Sequence, residues 1–319
     1  MNVELTIVNG STLYYPCVKD GITWETERKG TPGILKFTVI KTDNLSFVEG
    51  NAVRLIVDGK GVFFGFIFKK KRDKQHHIEV TAYDQLRYFK NKETYVYKNK
   101  RADQVIMMMA RDFSLNVGSL DNTGYVIEQK VEDNKTLFDI AQNALDDTLL
   151  NRKRMYVLYD DFGKLMLQNI ENMKTNLLID ADTGENFSYE SSIDDQTYNQ
   201  IKIVYENEKT GKRDVYTLKD NNNINRWGVL QYYDKVSSDI GVNEKIYSLL
   251  ELYNQKTRHL KITNAFGDLR IRAGSSVVVM LDLGDITVQS FMMCEKVKHT
   301  FNNDHHTMDL TLRGGTFIS

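Results

Sequence analysis

Apolar and polar residues alternate along much of the first hundred positions, and a period of two predicts strands. In Leu35-Lys36-Phe37-Thr38-Val39 every second residue is apolar, and Val53, Leu55 and Val57 repeat the pattern. Asp58-Gly59-Lys60-Gly61 then supplies residues that tolerate positive φ, as a tight hairpin requires. A return strand is expected over 62–68. The cluster Lys69-Lys70-Lys71-Arg72-Asp73 predicts the next turn, and Ile78, Val80 and Ala82 alternate before a short helical exit over 84–89. Four or more strands in fifty residues predict a small barrel or sandwich.

The period then changes. Over 101–113 the residues Ala102, Val105, Ile106, Met109, Ala110 and Phe113 fall on one face of an amphipathic helix. Thr136 and Asp139 have capping-box spacing and open a second helix, with Leu137, Ile140, Ala141, Ala144 and Leu145 inward. Strands over 155–159 and 164–170 flank the turn Asp160-Asp161-Phe162-Gly163. After a polar stretch over 180–199, strands over 201–205 and 215–218 flank the loop Asn207-Glu208-Lys209-Thr210-Gly211. A further helix is expected over 243–258, with Ile246, Leu249, Leu250 and Tyr253 buried. Strands over 277–281, 286–289, 292–299 and 307–312 close the chain.

The last forty residues resemble residues 50–84. Gly50-Asn51-Ala52-Val53 answers Gly274-Ser275-Ser276-Val277, and the turn Asp58-Gly59-Lys60-Gly61 answers Asp282-Leu283-Gly284-Asp285. A long apolar strand, a polar turn and a His pair (His76-His77, His305-His306) follow in both. The expected class is α+β, mainly β: two similar small tube-like β-barrel domains over 1–90 and 176–319, with an α/β insertion over 91–175. The second barrel carries a helical excursion at about 220–260. Three copies of a chain with two similar barrels can form a ring of six similar units, which mates a sixfold tube to a threefold object.

Composition narrows the function classes. With 42 Lys+Arg against 43 Asp+Glu the net charge is −1, so no global field draws nucleic acid or anionic membrane. No apolar run approaches the roughly 18 residues of a membrane span, and MNVELTIVNG lacks the features of a signal peptide. Synthesis in the cytoplasm is expected. Only Pro16 and Pro32 occur, where average usage of about 5% gives roughly sixteen; with 17 Tyr and 15 Phe this favours strands joined by Gly, Asn and Asp turns. Cys17 and Cys294 are too few for a disulfide framework and read as small, half-buried side chains.

Catalytic constellations are scarce. Asp304, His305, His306, His299 and Asp309 form the one cluster of metal-ligand types, but adjacent strand residues point to opposite faces, so turn or strand-edge histidines are expected. The acidic pairs Asp146-Asp147, Asp160-Asp161 and Asp194-Asp195 read as a helix end, a hairpin turn and a loop rather than glycosidase carboxylates facing each other across a groove. Lys69–Arg72 and Arg152-Lys153-Arg154 read as solvated turns, and Met107-Met108-Met109 as helix core. No metal, no cofactor and no enzyme activity are expected.

Several segments, in order along nearly the whole chain, carry a family resemblance: Val62-Phe63-Phe64-Gly65-Phe66-Ile67, Ala82-Tyr83-Asp84-Gln85-Leu86-Arg87-Tyr88, Thr94-Tyr95-Val96-Tyr97, Lys135-Thr136-Leu137-Phe138-Asp139-Ile140, Asn199-Gln200-Ile201-Lys202-Ile203, Trp227-Gly228-Val229-Leu230-Gln231 and Arg272-Ala273-Gly274-Ser275. In these the chain resembles the XkdQ/YqbQ-type baseplate hub proteins of contractile phage tails and phage-tail-like bacteriocins. The resemblance implies a homotrimer whose two barrels per chain build a pseudo-sixfold ring. It also implies a hexameric tail tube or tube initiator above, a trimeric spike below, wedge proteins at the rim and the tape-measure end in the lumen. Neither specific nucleic acid nor membrane insertion is implied. The hairpin tips Asp58, Gly59, Lys60, Gly61 and Asp282, Leu283, Gly284, Asp285 are the candidate interaction residues. A competing class is a cell-wall or polysaccharide-binding module, possibly a hydrolase, with Tyr95, Tyr97, Trp227, Tyr232 and Tyr233 as a sugar platform.

Overall fold

The structure is a computed structural model, and it describes residues 1–194, 196–206, 211–236, 241–282, 287–302 and 305–314. Seven strands come first: β1 (Val3–Asn9), β2 (Thr12–Tyr14), β3 (Ile22–Glu27), β4 (Ile34–Ile40), β5 (Ala52–Val57), β6 (Lys60–Arg72) and β7 (His77–Tyr83). A 3-10 turn over Gln85–Lys90, capped by the Asp84 carboxylate, leads to β8 (Lys92–Lys100), α1 (Ala102–Asp112), β9 (Val117–Leu120), β10 (Ile127–Thr136) and α2 (Leu137–Arg152). Then follow β11 (Tyr156–Asp161), β12 (Lys164–Asn169), β13 (Lys174–Ile179) and β14 (Asn186–Ser192). The remaining elements are β15 (Gln200–Glu206), β16 (Arg213–Lys219), α3 (Asn221–Trp227), β17 (Gln231–Val236), α4 (Val242–Tyr253), β18 (Thr257–Phe266), β19 (Ser276–Asp282), β20 (Thr287–Asn302) and β21 (His305–Gly314).

Thirteen of these strands form one sheet in the order β14-β18-β21-β20-β3-β4-β7-β6-β5-β1-β2, with β19 also on β20 and β13 on β19. The class is α+β and mainly β, but the ladders do not close into barrels. Two long strands, β6 and β20, organise it. The first half of β6 pairs with β5 and the second half with β7; β20 does the same with β19 and β21. Each long strand thus leaves one neighbour and takes another midway, which bends the sheet around its own core. Leu5, Leu35, Phe37, Leu55, Phe63 and Ile67 fill the first core, and Leu260, Ile262, Val277, Val279, Leu310 and Leu312 the second.

The capping box opening α2 is present: Thr136 Oγ1 accepts from Asp139 N at 3.1 Å and Thr136 N donates to Asp139 Oδ2 at 3.3 Å. The inner faces of α1 and α2 pack with Phe89, Tyr95, Tyr97, Tyr156 and Leu165 into a core of their own. A three-stranded sheet, β16-β15-β17, is covered by α4 through Ile201, Ile203, Val242, Ile246 and Leu249.

The structure departs from the sequence pattern at several places. The helix expected over 243–258 ends at Tyr253, and Arg258 already belongs to β18. The polar stretch over 180–199 holds β14, a mostly exposed strand whose seven residues, NFSYESS, show no apolar alternation. The strands expected over 286–289 and 292–299 are one strand, β20, which carries a bulge between Cys294 and Lys296. Lys69–Arg72 is not a turn but the end of β6, paired with β7; the turn is at 73–76. Polar and ionic side chains on a strand edge obey no apolar period, so neither β14 nor the end of β6 was visible in the pattern. α3 falls within the helical excursion expected at about 220–260, although no apolar face singled it out; its N-cap Asp220 holds it by accepting from Asn222 N and Asn223 N.

Gly65 lies where β6 passes closest to β7, and a Cβ there would stand 2.2 Å from the Tyr83 carbonyl oxygen. Backbone cannot yield as a side chain does, so Gly65→Ala is expected to cost about 1–3 kcal/mol in urea unfolding. Gly61→Ala meets the Phe162 ring instead and is expected to cost less.

Candidate functional site

The candidate interaction residues lie at the two equivalent hairpins. At the first, Asp58 (φ 47°) and Gly59 (φ 76°) take the positive φ values of a two-residue turn. Asp58 N donates to Asn2 O at 2.8 Å and Asn2 N donates to Asp58 Oδ1 at 2.7 Å. Gly61 packs on the Phe162 ring, while Gly163 of the β11–β12 turn packs on Phe64; the two rings lie 6.1 Å apart. The two turns thus interlock. Asp58 and Lys60 also line an open groove with Gly267, Asp268, Arg270 and His306. At the second hairpin, Asp282 ends β19 opposite Thr287; Leu283, Gly284 and Asp285 lie outside the described residues.

A second group of residues gathers where the two halves of the sheet meet the insertion. Arg272 Nη2 donates to Asp160 O at 2.7 Å, and its guanidinium carbon lies 3.9 Å from the Tyr159 ring centre and 5.8 Å from that of Trp24. Asp84 accepts from Gly33 N at 2.8 Å and Leu86 N at 3.0 Å. Asp160 accepts from Gly163 N at 2.7 Å and Gln85 Nε2 at 2.8 Å. Burial, and then the charge of Asp160, lift the Asp84 carboxyl well above the usual range; burial lifts Asp160 to about 6. Raised carboxyls beside an arginine are the ingredients of acid–base chemistry. Yet the cavity they line measures about 10 Å³, barely the room for one water. Its chemistry is that of a joint.

Asp160 is therefore both the turn residue that its sequence suggests and a buried carboxyl. Trp24, Asp84 and Arg272 carry no sequence signal as a group, because they come from three distant segments. His299 sits beside them, stacked on Trp24 with ring centres 4.7 Å apart. One of its nitrogens lies 2.9 Å from Ile271 O, the other 2.8 Å from His306 Nε2. His299 is thus a buried ring and His306 its half-buried, tilted neighbour, and among the described residues no three His, Cys, Asp or Glu side chains cluster as metal ligands. Cys17 is exposed and Cys294 buried, against the half-buried expectation for both.

The proposed sugar platform is dispersed. Tyr95 and Tyr97 are buried in the insertion core, and Tyr95 Oη donates to Asp112 Oδ2 at 2.6 Å. Tyr232 stacks on Tyr253 inside the cluster under α4, while Tyr233 lies on the opposite face of β17. Alternation on β17 explains the split: neighbouring tyrosines cannot share a face.

The fold recurs in solved structures. The structure matches the 43 kDa tail protein of prophage MuSo2 from Shewanella oneidensis (TM-score 0.71, 12% identity, 97% of this chain and 98% of that one). It matches the tail protein of Neisseria meningitidis MC58 as well (TM-score 0.74, 10% identity, 99% and 98%). A third match is an Escherichia coli component of the type VI secretion system described as similar to T4 tail proteins gp27 and gp5 (TM-score 0.59, 11% identity, 98% and 78%). The YQBQ-like family model matches residues 22–313, and the chain belongs to that family. Bacillus subtilis (strain 168) has two relatives: protein YqbQ, 30% identical over 97% of this chain and 95% of its own length, and the phage-like element PBSX protein XkdQ, 28% identical over 97% and 96%.

Two predictions test the joint. Removing Arg272 as Arg272→Met leaves two buried carboxyls without their cation and is expected to destabilise the fold by about 3–5 kcal/mol, read by urea unfolding. His299 gives a pH signature. Burial, and then the neighbouring His306, hold its folded imidazole neutral down to about 3, whereas an unfolded imidazole titrates near 6.5. Between those values the unfolded state binds the extra proton. The stability that His299 confers is therefore full above pH 6.5 and falls with pH by up to about 1.4 kcal/mol per unit. Asp160, raised to about 6, works in the opposite sense below that value, so the comparison is with His299→Phe at each pH. The stability of the wild type relative to the variant should decline from pH 6.5 to 4.5; a constant difference would refute the buried neutral state.

Proposed function

We propose that the chain is the baseplate hub of a contractile injection system, a homotrimer that joins a sixfold tail tube to a threefold central spike and transmits thrust when the sheath contracts. One observation carries the reading: the strand order β3-β4-β7-β6-β5 of the first half recurs as β14-β18-β21-β20-β19 in the second. One chain so built offers two similar surfaces, and three chains offer six, which is what a threefold-to-sixfold adaptor needs. Membership of the family of XkdQ, a protein of a phage-like element, and the fold of phage tail proteins support the same reading.

In this reading the tail tube or its initiator docks above, the trimeric spike below, wedge proteins bind at the rim and the tape-measure end enters the lumen. The hairpin tips at 58–61 and 282–285 contact neighbouring rings or subunits. The role is mechanical and needs neither cofactor nor catalysis. Interfaces that bear thrust are obligate and large, on the order of 2,000 Å² or more. The protein's place is the baseplate of the assembled particle, whether phage tail or bacteriocin.

Light scattering tests the stoichiometry: the purified chain is expected near three times 36.9 kDa, with the mass of the spike added when that partner is bound, and a stable dimer would overturn the adaptor. Deleting the gene from its phage element tests the role. Particles should then lack baseplate and spike, and intact particles would exclude the hub reading.

A further inference from the structure

The two halves of the sheet correspond at their corners and in the central register of their ladders, and one contact that their shared plan contains is made only once among the described residues. Gly50 (φ 89°) and Gly274 (φ 93°) hold equivalent corners: Gly50 N donates to Ile67 O and Gly274 N to Cys294 O, while Ile67 N and Cys294 N donate back to Asn51 O and Ser275 O. Both long strands bulge at the next step, between Ile67 and Lys69 opposite Ala82 and Thr81, and between Cys294 and Lys296 opposite Leu312 and Thr311. Lys71 reaches Glu79 at 3.8 Å as Lys298 reaches Asp309 at 3.5 Å. Lys69 therefore holds the place of Lys296. Continuing through the ladders, Leu35 corresponds to Leu260, Trp24 to Tyr189 and Glu25 to Glu190.

The contact in question joins the halves. β3 runs antiparallel along β20, with Glu27 opposite Lys296, Thr26 opposite Val297, Glu25 opposite Lys298 and Trp24 opposite His299. Lys296 Nζ reaches Glu25 and Glu27, each at 2.8 Å. The equivalents of these two edges are β14 and the end of β6. Among the described residues β14 pairs only with β18, and 69–72 pairs only with β7. Phe187, in the position of buried Ile22, is 42% exposed. Strand edges left open in this way are templates for another chain.

We infer that these two edges are each other's partners between copies: β14 of one chain adds antiparallel to 69–72 of β6 in a second copy, in the register of the internal β3–β20 ladder. Ser192 then faces Lys69, Ser191 faces Lys70, Glu190 faces Lys71 and Tyr189 faces Arg72. Lys69 of one copy and Glu190 of the next repeat the Lys296–Glu25 pair. Charge agrees, since 69–72 reads Lys-Lys-Lys-Arg and β14 carries an acid and no cation. The contact is head-to-tail, so it propagates from copy to copy until a ring closes. It rests on the hub reading for the ring as its setting, but it names the two edges and their register.

The test uses the full chain in a Cys17→Ser background carrying Lys70→Cys and Ser191→Cys, together and singly. Under mild oxidation the double variant is expected to give a ladder of covalent multimers on a denaturing gel, collapsed by reductant, and each single variant a monomer band. Independently, Lys69→Glu is expected to weaken association roughly tenfold, and adding Glu190→Lys to restore it. Multimers of wild-type mass that form no crosslink, or that are indifferent to both charge reversals, overturn the register and leave the hub reading standing. A chain that stays monomeric with its spike partner present overturns both.

Discussion

Arg272 ties together the three parts of the chain that have cores of their own. It sits on the turn before β19, packs its guanidinium on Tyr159 of β11 and over Trp24 of β3, and donates to the backbone of Asp160. A guanidinium shut away from water is stabilised only by surroundings that supply negative charge and π-faces. Asp161, Asp160 and Asp84 surround it with carboxyl groups, and Tyr159 and Trp24 supply the faces. The Asp84 and Asp160 carboxyls in turn are held by Gly33, Leu86, Gly163 and Gln85, so each fixes a turn or an element end. Arg272 Nε is enclosed without a hydrogen-bond partner, and such a group is costly to leave bare. The bonds made by the other groups of the cluster hold the halves in one arrangement in spite of that cost.

The long strands supply the other half of that rigidity. β6 belongs to two ladders and β20 to three, so each transmits displacement along the backbone rather than through side-chain packing alone. β3 lies across the joint: its outward edge is spent on β20, its inward edge on β4, and Trp24 between them touches both His299 and Arg272. Arg28, just beyond β3, adds a two-bond pair with Glu295, the bulged residue of β20. A bidentate pair at a bulge pins the register where a ladder is weakest.

Much of the β framework was legible because buried strands must alternate and hairpins must turn on residues that accept positive φ. The 53–57 strand, the Asp58-Gly59 turn and the two amphipathic helices follow from period and turn chemistry alone. The repeat was visible for the same reason: Gly50 and Gly274 are constrained by backbone geometry, and such positions keep their residue type while surfaces diverge. What the pattern hid is polar. β14 and the end of β6 are exposed edge strands, whose side chains answer to solvent on one copy alone, so no apolar period marks them. The joint was hidden for another reason. Trp24, Asp84, Asp160 and Arg272 are separated by dozens of residues, and only the fold brings them together.

The polarity of those edges also bears on the contact proposed between copies. An open edge of apolar residues would pair with any strand it met, whereas lysines on an edge discourage promiscuous pairing. Four consecutive cations at 69–72 repel one another and any strand lacking acids, so the edge accepts only a partner whose acid falls in register. The internal ladder shows what such a partner looks like: Glu25 and Glu27 of β3 answering Lys296. Between halves of one chain the join is favoured by the linkage itself, and two acids and a buried Trp24 serve it. Between chains one acid, Glu190, stands in that position with serines around it. The external contact is thus the weaker version of the internal one. A weaker contact repeated around a closed ring gains from every copy at once, which makes closure, rather than any single pair, the stable state.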